Sequence, residues 1–318
     1  MAKSSSDHVL IGIVYIISAA LIIGLGLGMM IKNTHGSPRM VTVGSKHHRP
    51  RPVPPFTFPD GGRELAGKYR MVALYGTTDS GVLGVLGEQP LPESIARAKQ
   101  LAAEYQPFST EKIYPAFEII ASVASAGPTE DGDYSRESDP GMIKPWIDEA
   151  KKSGVYVVLD LQPGREDFLS QAKQYESLLG EPHVGLALDP EWRLSPNQVH
   201  LEQIGSVGVD EVNATSQWLA GLTKQRKLPQ KLFLLHQFRP DMIAGRERLI
   251  PHPELATLIQ MDGQGAQSAK NDTWNAMIAT PPPGVQFGWK NFLDEDQPVL
   301  SPEATMQHVP QPWYVSYQ

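Results

Sequence analysis

At 318 residues the chain exceeds one small domain and has room for one large α/β domain plus an appendage. A content of 41% hydrophobic and 20% charged residues is that of a globular protein, and the net charge of −7 argues against a basic face for phosphates, so nucleic acid is not an expected partner. The absence of cysteine excludes a disulfide framework, a thiolate zinc site, an iron–sulfur cluster and a cysteine nucleophile.

Residues 1–8 form a short head. Residues 9–31, VLIGIVYIISAALIIGLGLGMMI, hold no charge and are long enough to cross a hydrocarbon layer of about 30 Å as a helix, which predicts a single transmembrane anchor. Lys32 follows without a small-residue cleavage pattern, against a removed signal peptide. Lys3 stands alone before the span, while Lys32, Arg39, Lys46, Arg49 and Arg51 follow it, so the charge count by itself favours a cytoplasmic domain. The envelope function argued below favours the opposite side, and an extracytoplasmic barrel is the expectation adopted. Residues 32–62 are rich in proline and basic residues and read as a semi-rigid linker.

From residue 63 to 318, short apolar runs alternate with amphipathic ones, the pattern of β/α units around a parallel sheet. Eight strands are predicted: RMVALYGT (70–77), YPAFEIIASV (114–123), VYVVLDLQ (155–162), HVGLALD (183–189), QKLFLLHQF (230–238), LATLIQMD (255–262), VQFGWK (285–290) and WYVSYQ (313–318). Helical stretches fall at 92–105, 140–154, 165–180, 209–226, 266–279 and 301–309, several of them ending at glycine or proline; the connector after the fifth strand, PDMIAGRERLI, is short for a helix. The expected fold is a (β/α)8 TIM barrel. An open doubly wound sheet is less suited, because no dinucleotide glycine fingerprint follows the first strand. The glycines of TTDSGVLGVLGEQP lack a phosphate-loop ending and predict a pliable flap over the barrel mouth.

In such a barrel, catalytic groups sit at the C-terminal ends of the strands. The second strand carries Glu118; the third ends in Asp160 and Gln162, with Arg165 beyond; the fourth ends in Asp189 and Glu191, with Trp192. His236 and Gln237, Gln260 and Asp262, Trp289 and Lys290, and Tyr314 close the later ones. Side chains two apart share a strand face, which pairs Asp160 with Gln162, Asp189 with Glu191 and Gln260 with Asp262. Buried carboxylates are costly unless paired or used, so several at one end of a sheet suggest a site. Glu191, Asp189 and Asp160 are the expected catalytic groups, and the other residues just named the substrate-binding ones, with the tryptophans as sugar-stacking platforms. Asp160, Asp189, Glu191, His236 and Asp262 include plausible metal ligands, but no metal motif is present and no cofactor is expected.

The D-x-E of Asp189 and Glu191 at the end of a fourth strand resembles the terminal part of the catalytic motif of chitinase-type and some lysozyme-type barrel glycosidases. The resemblance implies Glu191 as the general acid and Asp189 as its helper. It departs from the chitinase pattern at Val184 and Ala187, where that pattern has aspartates. The segments VYVVLDLQPGR, HVGLALDPEWRL and KLFLLHQF resemble a group of actinobacterial cell-envelope proteins without an assigned activity. Together these imply a membrane-anchored, glycosidase-like hydrolase acting on an envelope polysaccharide. A non-catalytic glycan- or protein-binding barrel and a cytoplasm-facing metal-dependent hydrolase or lyase are the alternatives.

Overall fold

The computed structural model describes residues 57–318. The predicted anchor at 9–31 lies outside the described residues, as does most of the predicted linker. Among the described residues no helix is long and apolar enough to cross a membrane.

Eight parallel strands form a closed barrel: β1 (Tyr69–Gly76), β2 (Lys112–Ala124), β3 (Tyr156–Leu161), β4 (Val184–Leu188), β5 (Lys231–Gln237), β6 (Leu255–Met261), β7 (Gln286–Asn291) and β8 (Tyr314–Tyr317). Each pairs with its neighbours in sequence, and β8 returns to β1 with Met71 opposite Tyr314. The period-two pattern sorts the side chains. Tyr69, Met71, Ala73, Tyr114, Ala116, Tyr156, Val158, Leu232, Leu234 and Leu258 fill the lower lumen. Their alternates, including Val72, Phe117, Leu159, Leu186, Phe233 and Trp289, form the layer under the helices.

Phe58, from the stretch whose composition reads as linker, joins the lumen cluster, with its ring centroid 5.8 Å from Tyr69 and 6.2 Å from Tyr114. Gly185 makes room inside β4. A Cβ there would stand 2.7 Å from the Leu232 carbonyl oxygen and 3.2 Å from the Tyr156 ring.

The helices are α1 (Leu91–Tyr105), α2 (Pro140–Ser153), α3 (Phe168–Gln174), α4 (Glu176–Leu179), α5 (Val209–Gln225), α6 (Gln267–Ile278) and α7 (Pro302–Thr305). Asp139 caps α2 by accepting from the Gly141 amide, and Gly154 ends it at φ 69°. The helix predicted over 165–180 is divided at Tyr175, whose hydroxyl donates to the Ala121 and Ser138 carbonyls. That anchoring overrides the local helical pattern. The helix predicted over 301–309 shrinks to the single turn of α7. Between β5 and β6 there is no α-helix; two 3-10 turns flank a two-residue strand, Ile243–Ala244, which pairs with Val207–Gly208.

The loop after β1, predicted as a pliable flap, is exposed at Gly81, Val82 and Leu83 and packed at its far end. Val85 and Leu86 are buried within a 3-10 turn, and a Cβ on Gly84, at φ 150°, would lie 2.4 Å from the Tyr75 carbonyl oxygen. Glycine there permits close backbone packing.

Candidate active site

Continuing the inward alternation of each strand to its C-terminal end brings polar groups into one layer. Tyr75, Glu118, Asp160, His236, Gln260, Lys290 and Ser316 occupy it, all buried, with Asp189 at the end of β4. Asp262 follows β6 directly, and Glu191 sits in the 3-10 turn Pro190–Trp192 after β4.

His236 is the centre of this layer. Its Nε2 is 2.8 Å from Glu118 Oε1 and 3.7 Å from Asp160 Oδ1, and its Nδ1 is 3.0 Å from Asp262 Oδ2. Tyr314 donates to Glu118 Oε2 at 3.0 Å, and Tyr75 donates to Asp160 Oδ2 at 3.0 Å. Lys290 Nζ stands 3.0 Å from Asp262 Oδ1 and 3.6 Å from the centre of the Tyr75 ring. Gln260 donates to Ser316 Oγ at 2.7 Å, and Gln162 to the Tyr75 hydroxyl at 3.3 Å.

The arrangement has two tiers. Glu118, Asp160 and His236 have no exposure and lie beneath the mouth, whereas Asp189 and Asp262 retain 1% and 8%, and Glu191 and Trp192 are half-buried. Oxygen atoms of Asp189, Glu191 and Asp262 lie within 4.8 Å of one another, so these three carboxyl groups form the upper tier.

Charge divides the carboxyl groups. Lost solvation in the crowded mouth, reinforced by the charge of Asp262, pushes Glu191 up to about 8, although Lys290 and His236 oppose the shift. Burial and the neighbouring Glu191 raise Asp189 well above the carboxylate range. Burial also raises Asp160, to about 6, with His236 opposing it. Asp262 goes the other way: burial would raise it, but Lys290 and His236 together hold it low. Burial would lower His236 and Lys290. The carboxylates around them overcome that and keep both charged, His236 through Asp262, Glu118 and Asp160, and Lys290 chiefly through Asp262.

Of the residues singled out in the sequence, the fold brings Glu118, Asp160, Gln162, Asp189, Glu191, His236, Gln260, Asp262, Lys290 and Tyr314 to one end of the lumen. Trp289 is a correction. It alternates with Lys290, so only one can face inward; Trp289 points outward, fully buried, with Trp274 5.8 Å and His308 4.0 Å away between ring centroids. It cannot stack a sugar. Gln237 is excluded from the lumen by the same alternation with His236, and its amide is bonded to Arg246 and to the Arg239 carbonyl. Arg165 is committed to the Gln198 carbonyl and the face of Tyr134. Glu118 is too deep to touch a ligand held at the mouth.

Tyr75 was not singled out in the sequence, although its place two residues beyond Ala73, at the end of an inward-facing row, is the signal that identifies it. The support beneath Lys290 had no such signal. Buried Lys270, on α6, pairs with Asp296 and donates to the Lys290 carbonyl at 2.9 Å, and Asp296 accepts from the Phe292 and Gly265 amides, tying the loops after β6 and β7 together.

No protein-family model matches the chain, and no curated protein does. Solved structures do align with it, among them two xylanase-α-amylase inhibitor structures. One is a complex of a xylanase-α-amylase inhibitor protein with trehalose, 13% identical, with the alignment covering 78% of this chain and 92% of that one at a TM-score of 0.45. The other is a further form of such an inhibitor protein, 12% identical over the same shares and at the same TM-score. At that distance the likeness carries no argument about function.

Proposed function

We propose that the protein is a membrane-tethered, glycoside-hydrolase-like barrel that cleaves a cell-envelope polysaccharide, with residues 9–31 as the anchor and the barrel outside the cytoplasm. The observation that carries the reading is the meeting of Glu191 and Asp262 at the mouth, their oxygens within 4.8 Å, one accessible and the other held between Lys290 and His236. Glycoside cleavage needs one carboxyl group that keeps its proton and one that is ionised. Glu191 fits the acid, giving its proton to the glycosidic oxygen as the bond to the anomeric carbon breaks. Asp262, rather than Asp189, fits the ionised partner, because the two bases beside it favour its charge. Trp192, next to Glu191, remains the candidate platform for a sugar ring.

The low exposure of Asp189 and Asp262, at 1% and 8%, beside half-buried Trp192 supports a second reading, a barrel that binds a glycan or a partner protein without cleaving it. Release of reducing ends from purified envelope polysaccharides separates the two. The wild type is expected to release them and Glu191→Gln to do so about 10²–10⁴-fold more slowly. Equal rates in both proteins remove Glu191 as the acid; no release by either, with binding to the polysaccharide retained, leaves the binding module.

A further inference from the structure

The ion pairs and hydrogen bonds around the mouth reach the other carboxyl groups: Lys290 stands beside Asp262, His236 beside Glu118 and Asp262, and Tyr75 and Tyr314 donate to Asp160 and Glu118. Asp189 is left over. It is 1% exposed, and among the described residues no hydrogen-bond donor reaches its buried Oδ1. Burying a carboxyl group without a partner is costly, and this one is aimed at two others. Two oxygens bound to one ion can be no farther apart than twice the metal–oxygen distance, about 4.2 Å for magnesium and about 4.6–5.2 Å for calcium. The Asp189, Glu191 and Asp262 oxygens lie within 4.8 Å of one another, close enough to share one ion. Three carboxyl groups suit calcium, which takes many oxygen ligands in flexible geometry, better than magnesium, which usually keeps several waters and takes one or two carboxylates.

We propose that Asp189, Glu191 and Asp262 bind one hard divalent cation, calcium in preference to magnesium. The donor set is all oxygen, which suits such ions and not softer metals. Asp189 contributes an oxygen, Oδ1, that no hydrogen-bond donor reaches among the described residues, Asp262 shares an oxygen that also faces Lys290, and half-buried Glu191 closes the site on its accessible side. The proposal stands on the three carboxyl groups and not on the hydrolase reading. Where both hold, they interact: while Glu191 ligates the cation it is unavailable as an acid, so calcium inhibits cleavage.

The test is calorimetric titration of the full-length protein with calcium chloride and, separately, magnesium chloride. Asp189→Asn is compared with a double variant, Asp131→Asn with Asp133→Asn, in the exposed acidic group that also includes Glu137. One calcium per chain is expected, with magnesium weaker. Affinity should fall about 10-fold or more in Asp189→Asn and stay unchanged in the double variant. Absence of calcium binding, binding that Asp189→Asn leaves intact, or binding lost in the double variant overturns the proposal. Circular dichroism checks the fold, and Glu191→Gln, at the accessible edge, gives an independent answer if Asp189→Asn does not fold. Polysaccharide cleavage measured in parallel keeps the two readings apart. Calcium binding without cleavage under any condition defeats the hydrolase alone; cleavage by a protein that binds no calcium defeats the cation site alone.

Discussion

His236 carries a buried positive charge between Glu118 and Asp262, and the two tiers of the mouth are joined through it. Taking away one member of a buried charged group leaves the others uncompensated, so His236→Leu is expected to cost about 3–5 kcal/mol in urea unfolding. A loss under 1 kcal/mol would mean that the group contributes little. His183, just before β4, behaves oppositely. It is buried with Nε2 bonded to the Ile147 carbonyl at 2.9 Å, and burial lowers it to about 4. Its folded value lies below the ordinary 6.5, so between those values the unfolded chain binds more protons and stability falls as pH falls. From pH 7 to pH 5 the wild type should therefore lose about 2 kcal/mol more than His183→Gln, measured as unfolding free energy at the two pH values. Parallel losses would rule out the shift. Most of the candidate site was legible at this scale, because strand-end carboxylates are conspicuous among apolar runs. Which neighbour lowers or raises each one was not, because Lys290 and His236 come from different strands than the groups they hold.

At the scale of elements, period-two alternation located the strands within one or two residues at either end, and it also explains the two side chains that were misplaced. Trp289 and Gln237 follow the strand-end pattern but fall on the outward parity. Helices were less faithful where a tertiary contact intervened, as Tyr175 does by bonding back to the end of β2 and divides one predicted helix in two. The loops after β6 and β7 show the reverse, an element-level support with no local pattern. Lys270 and Asp296 are far apart in sequence, and both are buried. Asp296→Asn removes the countercharge of the Lys270 ammonium and is expected to destabilise the protein by about 3 kcal/mol. It should also lower hydrolysis, if hydrolysis is present, by displacing Lys290 and Asp262. An unchanged urea midpoint would show that the tie is dispensable.

Across residues 57–318, the barrel has an apolar lower lumen and a polar upper one, and Phe58 packs into the lower part against Tyr69, Tyr114 and Tyr156. Phe58→Ala should cost about 3–5 kcal/mol, the usual consequence of emptying a large aromatic site in a core. A urea midpoint unchanged from wild type would place Phe58 outside the cooperative unit. By itself the sequence determined the eight strands of the barrel, most of the helices between them and the end of the barrel that gathers charge. These follow from local periodicity, which each segment carries within itself. Only the tertiary structure decided that β8 closes on β1, that Glu118 and Asp160 are sealed beneath the mouth, and that Asp189, Glu191 and Asp262 meet there. Those are distances between side chains from separate strands and loops, set by the closure of the sheet and the packing of its lumen.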